Sequence, residues 1–233
     1  MIQVTTNHPI AIDSDDHKYP EGIYYDNNSN ETFIADVEKY FNGPISILDL
    51  GCAGGQLVCD MHQKGHVAVG LEGSDHCLNV QPQSVDEVGM LPLGHQNWKT
   101  HGNKILFTCD ITKDYQIYDN GQPMKFDLIT CWDVMEHFEP SAVPKFVELV
   151  KNHLKPNGVY VATIALFSSG RHPTSKNTPD GLDYHKSLFP KDWWLNQLSS
   201  QLQSIQYPFV CCNRSYINPN GDDRYLVYAG KIP

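Results

Sequence analysis

Long apolar runs are missing from this chain. No stretch approaches the roughly 18–20 uninterrupted apolar residues of a membrane span, and Met1 to Ile12 lacks the basic start and apolar core of a signal peptide. A cytoplasmic protein without membrane contact is expected. Charge is also scarce: charged residues make up 19% of the sequence, and with 40% hydrophobic residues that excludes a disordered polyelectrolyte. Basic residues are the rarer sign, 17 Lys+Arg against 27 Asp+Glu for a formal net charge of −10. Nucleic acid is therefore a disfavoured partner, because backbone binding needs local positive charge. Cysteines in pairable spacing are lacking too. Cys52, Cys59, Cys77, Cys109 and Cys131 stand singly, and Cys211 and Cys212 are adjacent, which suits neither a disulfide framework nor a C-x-x-C metal site. Buried free thiols in a reducing compartment are expected. There is no internal repeat, and 233 residues fit one domain, 1–233.

What is present alternates. Residues 1–30 are polar and rich in turn chemistry, an arm or lid before the core. A helical pattern over Glu31–Phe41 carries Phe33, Ile34, Val37, Tyr40 and Phe41 on one side and stops at Asn42-Gly43-Pro44. Apolar runs at 45–50, 67–71, 105–109, 126–131 and 159–164 read as strands, with helical segments between several of them. The helix after the fourth run is expected from Trp132 to about Leu154. Two further strands are expected near 205–214 and 224–229, close enough for an antiparallel hairpin. This is an α/β pattern: a Rossmann-like, seven-stranded, mostly parallel sheet with helices on both faces and an antiparallel C-terminal hairpin. Two connections, 76–103 and 167–189, exceed ordinary loop lengths and are expected to shape an acceptor site.

Asp49-Leu50-Gly51-Cys52-Ala53-Gly54-Gly55 follows the first core strand and opens the next helix, and Glu72 ends the second strand about 20 residues on, placed for ribose hydroxyls. Two ligands compete for such a turn. A dinucleotide site uses G-x-G-x-x-G and sets pyrophosphate on the helix N-terminus. Here the pattern is G-x-x-G-G with a carboxylate just before it, which repels pyrophosphate and suits the cationic S-adenosylmethionine.

On these residues the chain resembles class I S-adenosylmethionine-dependent methyltransferases, of the type 11/23 methyltransferase-domain families. The first motif matches with Ala53 in place of the usual middle glycine, and Val69-Gly70-Leu71-Glu72-Gly73-Ser74 matches the ribose-binding strand. Cys109-Asp110-Ile111 resembles the adenine-binding segment, and Phe126 to His137 the fourth-strand motif beside the methyl donor, with Cys131 and Trp132 at the cofactor. Leu154-Lys155-Pro156-Asn157-Gly158 is similar to the L-K-P-G-G turn. The resemblance runs in order over about 35–165.

Asp133, Glu136 and His137 are spaced i, i+3, i+4 and share a face if a helix begins at Trp132. Two carboxylates and an imidazole suit a divalent cation, Mg²⁺, Mn²⁺ or Zn²⁺. A narrower resemblance links this motif to metal-dependent O-methyltransferases of small-RNA 3′ ends and of ubiquinone biosynthesis, which have acid-x-x-Glu-His here. In the first group a downstream His, matched by His185, completes the metal site, with Asp133 where Glu is usual. The same residues also read as a capping box, Asp133 to Glu136, with no metal at all. Catalytic expectations fall on Glu136, His137 and His185, a His serving as general base. Trp98, Trp193 and Trp194 read as core or as an acceptor wall, Tyr24 and Tyr25 as cofactor-closing, and Arg171 and Lys176 as contacts to an anionic acceptor. The expected reaction is O-methylation of a sugar, glycoconjugate or other small molecule. An amine or RNA 3′-terminal 2′-O-methyltransferase and a non-catalytic cofactor-binding subunit are the alternatives.

Overall fold

The computed structural model describes residues 1–20, 23, 26–79, 94–169, 182–221 and 223–233. In chain order these form β1 (Ile2–Thr6), α1 (Asp15–Lys18), α2 (Glu31–Phe41), β2 (Ser46–Leu50), α3 (Gln56–Gln63), β3 (Val67–Glu72), α4 (His76–Asn79), α5 (His95–His101) and β4 (Leu106–Thr108). There follow β5 (Tyr115–Asp119), β6 (Gln122–Pro123), β7 (Phe126–Trp132), α6 (Val143–His153), β8 (Leu154–Ala165), α7 (Lys191–Ser199), β9 (Gln203–Ser204) and β10 (Tyr225–Lys231).

The main sheet has seven strands in the order β4-β3-β2-β7-β8-β10-β9. The five strands from β4 to β8 run parallel, and β10 lies antiparallel to β8 and to β9. After β2 the chain steps outward through β3 and β4, then returns to lay β7 on the other side of β2. The C-terminal ends of β2 and β7 thus flank the switch point of the sheet, where open α/β sheets bind ligands. Both faces are covered, so strands 46–50, 67–72 and 126–132 are almost wholly buried rather than alternating. One core cluster packs Phe146, Val147 and Val150 of α6 under Tyr160 and Trp194. The other packs Phe33, Ile34 and Val37 of α2 with Leu57 and Met61 of α3. Helix α2 begins where Asn30 Oδ1 accepts from the Thr32 and Phe33 N–H groups, and ends at Asn42 in the left-handed region.

Four expectations change in detail. The helix from Trp132 is replaced by two 3₁₀ turns, Met135–His137 and Pro140–Ala142, and α6 starts only at Val143. Pro140 and Pro144 supply no N–H and forbid an unbroken helix through this stretch. The strand expected near 205–214 lies earlier, at Gln203–Ser204, which pairs with β10; the Ile205 N–H still reaches the Ala229 carbonyl at 2.9 Å, and Pro208 beyond it has no N–H for a ladder. The connection 76–103 carries helices at both ends, with 80–93 outside the described residues. The arm is no free lid at its start: β1 pairs antiparallel with β5 in a second, three-stranded sheet.

All seven cysteines are free thiols, and all but the half-buried Cys211 are buried. Burial pushes the Cys77 and Cys109 thiols up to about 12, so they do not ionise near neutral pH. Among the described residues no helix is long and apolar enough to cross a membrane. Trp98 and Trp194 are fully buried core residues, and Trp193 stacks on Phe189 at 4.2 Å. Tyr24, Tyr25, Arg171 and Lys176 lie outside the described residues.

Candidate active site

The glycine-rich turn leaves β2 through Gly51, Ala53 and Gly55, with φ of 75°, 43° and 77°. Left-handed backbone is costly for a residue with a Cβ, so Ala53 must be held from outside. It is held at both ends: its N–H donates to Glu72 Oε2 at 2.8 Å, and its carbonyl accepts from Trp98 Nε1 at 2.8 Å. The second oxygen of Glu72 accepts from the Ser74 N–H at 3.0 Å. Burial pushes the Glu72 carboxyl up to about 7 in spite of those two bonds. Asp49, opposite Thr130 in the β2–β7 ladder, accepts from the Thr130 hydroxyl at 2.7 Å, and burial raises it to about 6.

The arm closes over this turn. The Gly54 N–H donates to the Asp26 carbonyl at 2.9 Å, and Asn27 Oδ1 caps α3 by accepting from the Gln56 N–H at 3.1 Å. A Cβ on Gly54 would lie 2.3 Å from Asn27 Oδ1, so the glycine is needed for this close approach. Further forward, the Ala11 N–H donates to the Gly73 carbonyl and the Asp110 N–H to the His8 carbonyl, at 2.8 and 2.9 Å. Asp110 Oδ1 accepts from the Thr112 N–H and hydroxyl, and Ile111 is buried.

At the end of β7, Cys131 is wholly buried in the core and Trp132 stands edge-on to Phe33 at 5.1 Å. Asp133 turns left-handed, at φ 55°, and is fully engaged. Its Oδ1 accepts from Thr163 Oγ1 at 2.5 Å and its Oδ2 from Tyr216 Oη at 2.7 Å, with Arg214 Nε 3.5 Å away. The buried Arg214 also donates to both Asp26 oxygens and to the Trp132 carbonyl. Arg214 thereby joins the arm, the switch-point strand and the C-terminal segment.

Glu136, His137 and His185 come together: one ligand atom from each lies within 4.8 Å of the others. Glu136 is fully buried; Oε1 accepts from the Ala165 N–H at 3.0 Å, and Oε2 has no hydrogen-bond partner. Burial and the neighbouring Asp133 push its carboxyl up to about 8. His137 Nδ1 lies 3.0 and 2.9 Å from the two Asp16 oxygens. Burial lowers the His137 imidazole, but the Asp16 carboxylate outweighs it and holds the ring at about 9. His185 Nδ1 donates to the Phe167 carbonyl at 2.5 Å, its ring centroid is 4.9 Å from that of His137, and burial lowers its pKa. With Nδ1 committed in both rings, Nε2 is the atom left to each; on His137, held at about 9, it becomes a ligand or acceptor only when its proton is displaced.

Asp133 is the exception to the expected ligand set: it is spoken for by Thr163, Tyr216 and Arg214, because Trp132–His137 is not one helix and its side chain turns away. The three that remain pass a test of fit. An unpartnered buried carboxylate oxygen beside two imidazoles whose far nitrogens are constrained is a donor set for a divalent cation, borderline in softness. Sequence reading missed Asp16, Asp26 and Arg214. Only the buried pairing of distant residues reveals them, though Ser14 before Asp15-Asp16 was a legible helix start.

The profile of the methyltransferase-domain family matches residues 24–212. Among curated relatives, the chain is 30% identical over 172 residues to the ubiquinone biosynthesis O-methyltransferase of Pasteurella multocida, covering 69% of this chain and 66% of that one, just under two thirds of its length. It is 26% identical over 131 residues to the small RNA 2′-O-methyltransferase of Gallus gallus, covering 56% of this chain and 33% of that one. Among solved structures it superposes on a S-adenosylmethionine-dependent methyltransferase of Clostridium acetobutylicum with a TM-score of 0.57 at 19% identity, covering 86% and 89% of the two chains. At that identity the likeness speaks for the fold.

Proposed function

Because the chain belongs to the S-adenosylmethionine-dependent methyltransferases of class I, we propose that it methylates a hydroxyl oxygen of a small, ring-bearing acceptor at the Glu136–His137–His185 cluster. That cluster carries the reading: it stands beside the switch point, one 3₁₀ turn beyond the β7 end that flanks Asp49 and the glycine-rich turn. The donor supplies an electrophilic methyl on a sulfonium. The chain's part is to hold donor and acceptor in line and to take up the hydroxyl proton. Asp49, Glu72 and the turn from Gly51 to Gly55 would hold the donor, Gly73, Asp110 and Ile111 its adenosine end, with the Trp132 backbone beside it. Buried Asp49 and Glu72 favour a cation and hydroxyl donors respectively over an anion.

On the acceptor side, Phe167 and Tyr216 are 38% and 58% exposed, and with Tyr225 they form an aromatic wall beside His185, Phe167 to Tyr225 being 5.3 Å and Tyr216 to Tyr225 6.1 Å. Such a wall suits a sugar or aromatic ring. His185 Nε2, its lone pair fixed by the Nδ1 bond to Phe167, is the proton acceptor in the absence of a metal. Glu136, His137 and His185 would hold a divalent cation, Mn²⁺ or Zn²⁺ ahead of Mg²⁺ given two nitrogen donors. Bound there, it would act as a Lewis acid that lowers the pKa of the acceptor hydroxyl. The relatives named as O-methyltransferases, one of ubiquinone biosynthesis and one of small RNA, support a hydroxyl over an amine.

The test is a methyl-transfer screen over phenols, sugars, nucleotide sugars, amines and RNA 3′ ends, with and without EDTA. Transfer to a phenol or sugar hydroxyl, lost in His185→Gln, supports the reading. Transfer to amines alone, or full activity in Glu136→Gln, His137→Gln and His185→Gln, refutes it. Transfer to RNA ends alone would move the acceptor to the second relative's class.

A further inference from the structure

Helix α1 belongs to neither the donor motifs nor the acceptor-side motif, yet it touches both. On one flank His17 Nδ1 lies 3.4 Å from Ser74 Oγ and 3.7 Å from Asp75 Oδ1, beside the strand end that carries Glu72. On the other, Asp15 pairs with Lys186, and Tyr184 Oη donates to the Tyr19 carbonyl at 2.9 Å. Between these flanks, Asp16 sets both carboxylate oxygens on one ring nitrogen 121 residues away. The helix is too short to hold itself together. Ser14 starts it, its Oγ accepting from the Asp16 N–H at 3.1 Å, so the Asp16 backbone is fixed before its side chain reaches out.

We propose that Asp16 is a positioning residue for His137: it pins the Nδ1–H and the ring plane, so that Nε2 is the atom delivered to the cluster. This rests on the reading of that cluster as the acceptor-side centre, but the orientation itself is a property of the free protein. A carboxylate on the far nitrogen is the device that fixes the tautomer and aim of a working imidazole, whether the ring holds a metal or moves a proton. Here it is supplied from an N-terminal arm that also lies on the donor side. The arm must therefore be seated before His137 is aimed.

The test uses the full chain, ion-free, and follows histidine ring nitrogens and their protons by NMR, the His137 signal being assigned by its absence in His137→Gln. Wild type should show a downfield, slowly exchanging Nδ1 proton. Asp16→Ala should lose it, Asp16→Asn should restore it at higher field through its amide oxygen, and Asp15→Asn should leave it unchanged. On the acceptor found in the screen, Asp16→Ala should lower kcat about 10–100-fold, with Asp16→Asn intermediate and the KM for S-adenosylmethionine unchanged. Persistence of the resonance in Asp16→Ala, or an equal effect of Asp15→Asn, overturns the proposal. If Asp16→Ala does not fold, Asp16→Asn against Asp15→Asn decides by the same signal. A His185→Gln variant with full activity would sink the catalytic reading while the Asp16 result stood.

Discussion

Arg214 gives the sharpest quantitative test of how the site is assembled. Its guanidinium is buried, donates to Asp26 Oδ1 at 2.7 Å and to Oδ2, reaches the Trp132 carbonyl at 3.3 Å, and lies 3.5 Å from Asp133. Replacing it with methionine keeps much of the volume but leaves Asp26 and Asp133 without their cation. Breaking one side of a buried pair costs about 3–5 kcal/mol. In a domain of this size about 1 kcal/mol moves Tm by roughly 2–4 °C, so Arg214→Met should lose about 6–20 °C. The loss should depend on pH with a fixed sign. In the wild type, burial raises the Asp26 carboxyl, but the hydrogen bonds and charge of Arg214 bring it below its ordinary value. That stabilisation is present above the unfolded-state value and fades as pH falls. In the variant the Asn28 hydrogen bonds remain but Arg214 no longer offsets burial, so the carboxyl rises relative to wild type and the variant loses less stability on acidification. The gap between the two proteins must therefore narrow from about pH 7 toward about pH 4. Urea titrations of wild type, Arg214→Met, Asp26→Asn and the double variant close a cycle. A coupling of about 2 kcal/mol is expected, because the double variant leaves no uncompensated Asp26 charge. Costs that add within about 0.5 kcal/mol would refute the pair as a structural unit.

Three further outcomes are expected. Gly51→Ala places a Cβ 2.5 Å from Val134 Cγ2 at a φ of +75°, so it should destabilise by about 1–3 kcal/mol and abolish thermal stabilisation by S-adenosylhomocysteine; a wild-type melt with an intact ligand shift would count against the turn as donor cradle. Trp98→Phe removes the indole donor to the Ala53 carbonyl, costing about 1–3 kcal/mol for the buried oxygen left alone, and it should weaken S-adenosylhomocysteine binding further; equal stability in urea would exclude that bond as a support. The free-protein Glu72 carboxyl sits at about 7, above its unfolded value, so this group's share of stability falls as pH rises toward that point. If ribose hydroxyls bind its ionised form, S-adenosylhomocysteine releases a proton and binds more tightly from about pH 6 to about pH 8; calorimetry in two buffers reads this directly, and a flat Kd across the range would remove Glu72 from the ligand.

The parts legible in the sequence were those in which local pattern and function coincide. The parallel strands at 46–50, 67–72 and 126–132 are buried on both faces, so they appear as unbroken apolar runs, and the glycine-rich turn stands at the end of one of them. Ala53 was a visible departure from the motif, but its support was not visible: the stabilising partners, Glu72 and Trp98, are 19 and 45 residues away. The helix from Trp132 failed for a local reason that was legible, since Pro140 and Pro144 interrupt it. Glu136 and His137 still meet His185, because Glu136 is tied to the Ala165 N–H and its carbonyl accepts from the Ser187 N–H at 2.9 Å. The spacing argument named Asp133, Glu136 and His137 on a helix that does not form there; the last two meet His185, which the resemblance supplied, while Asp133 turns to Thr163, Tyr216 and Arg214.

The acid count shows most clearly what a sequence leaves undecided. A net charge of −10 marks an acidic protein, and several acids fall at one end of the sheet, but their number says nothing about which are free to meet a ligand. The structure sorts them by partner. Asp26 and Asp133 share the one cation of Arg214, Asp110 accepts from Thr112, and Asp16 is set on His137. Asp49 has one hydroxyl donor, Glu72 has two backbone donors, and Glu136 keeps an oxygen with none. These last three are buried with too few partners, and a buried carboxylate is stable only when charge or donors reach it. A cationic donor beside Asp49, hydroxyls on Glu72 and a cation or acceptor proton near Glu136 would each relieve a cost that the free protein carries. Those three positions are where the proposed donor and acceptor would bind, so the under-satisfied acids favour the same end of the sheet as the proposed chemistry.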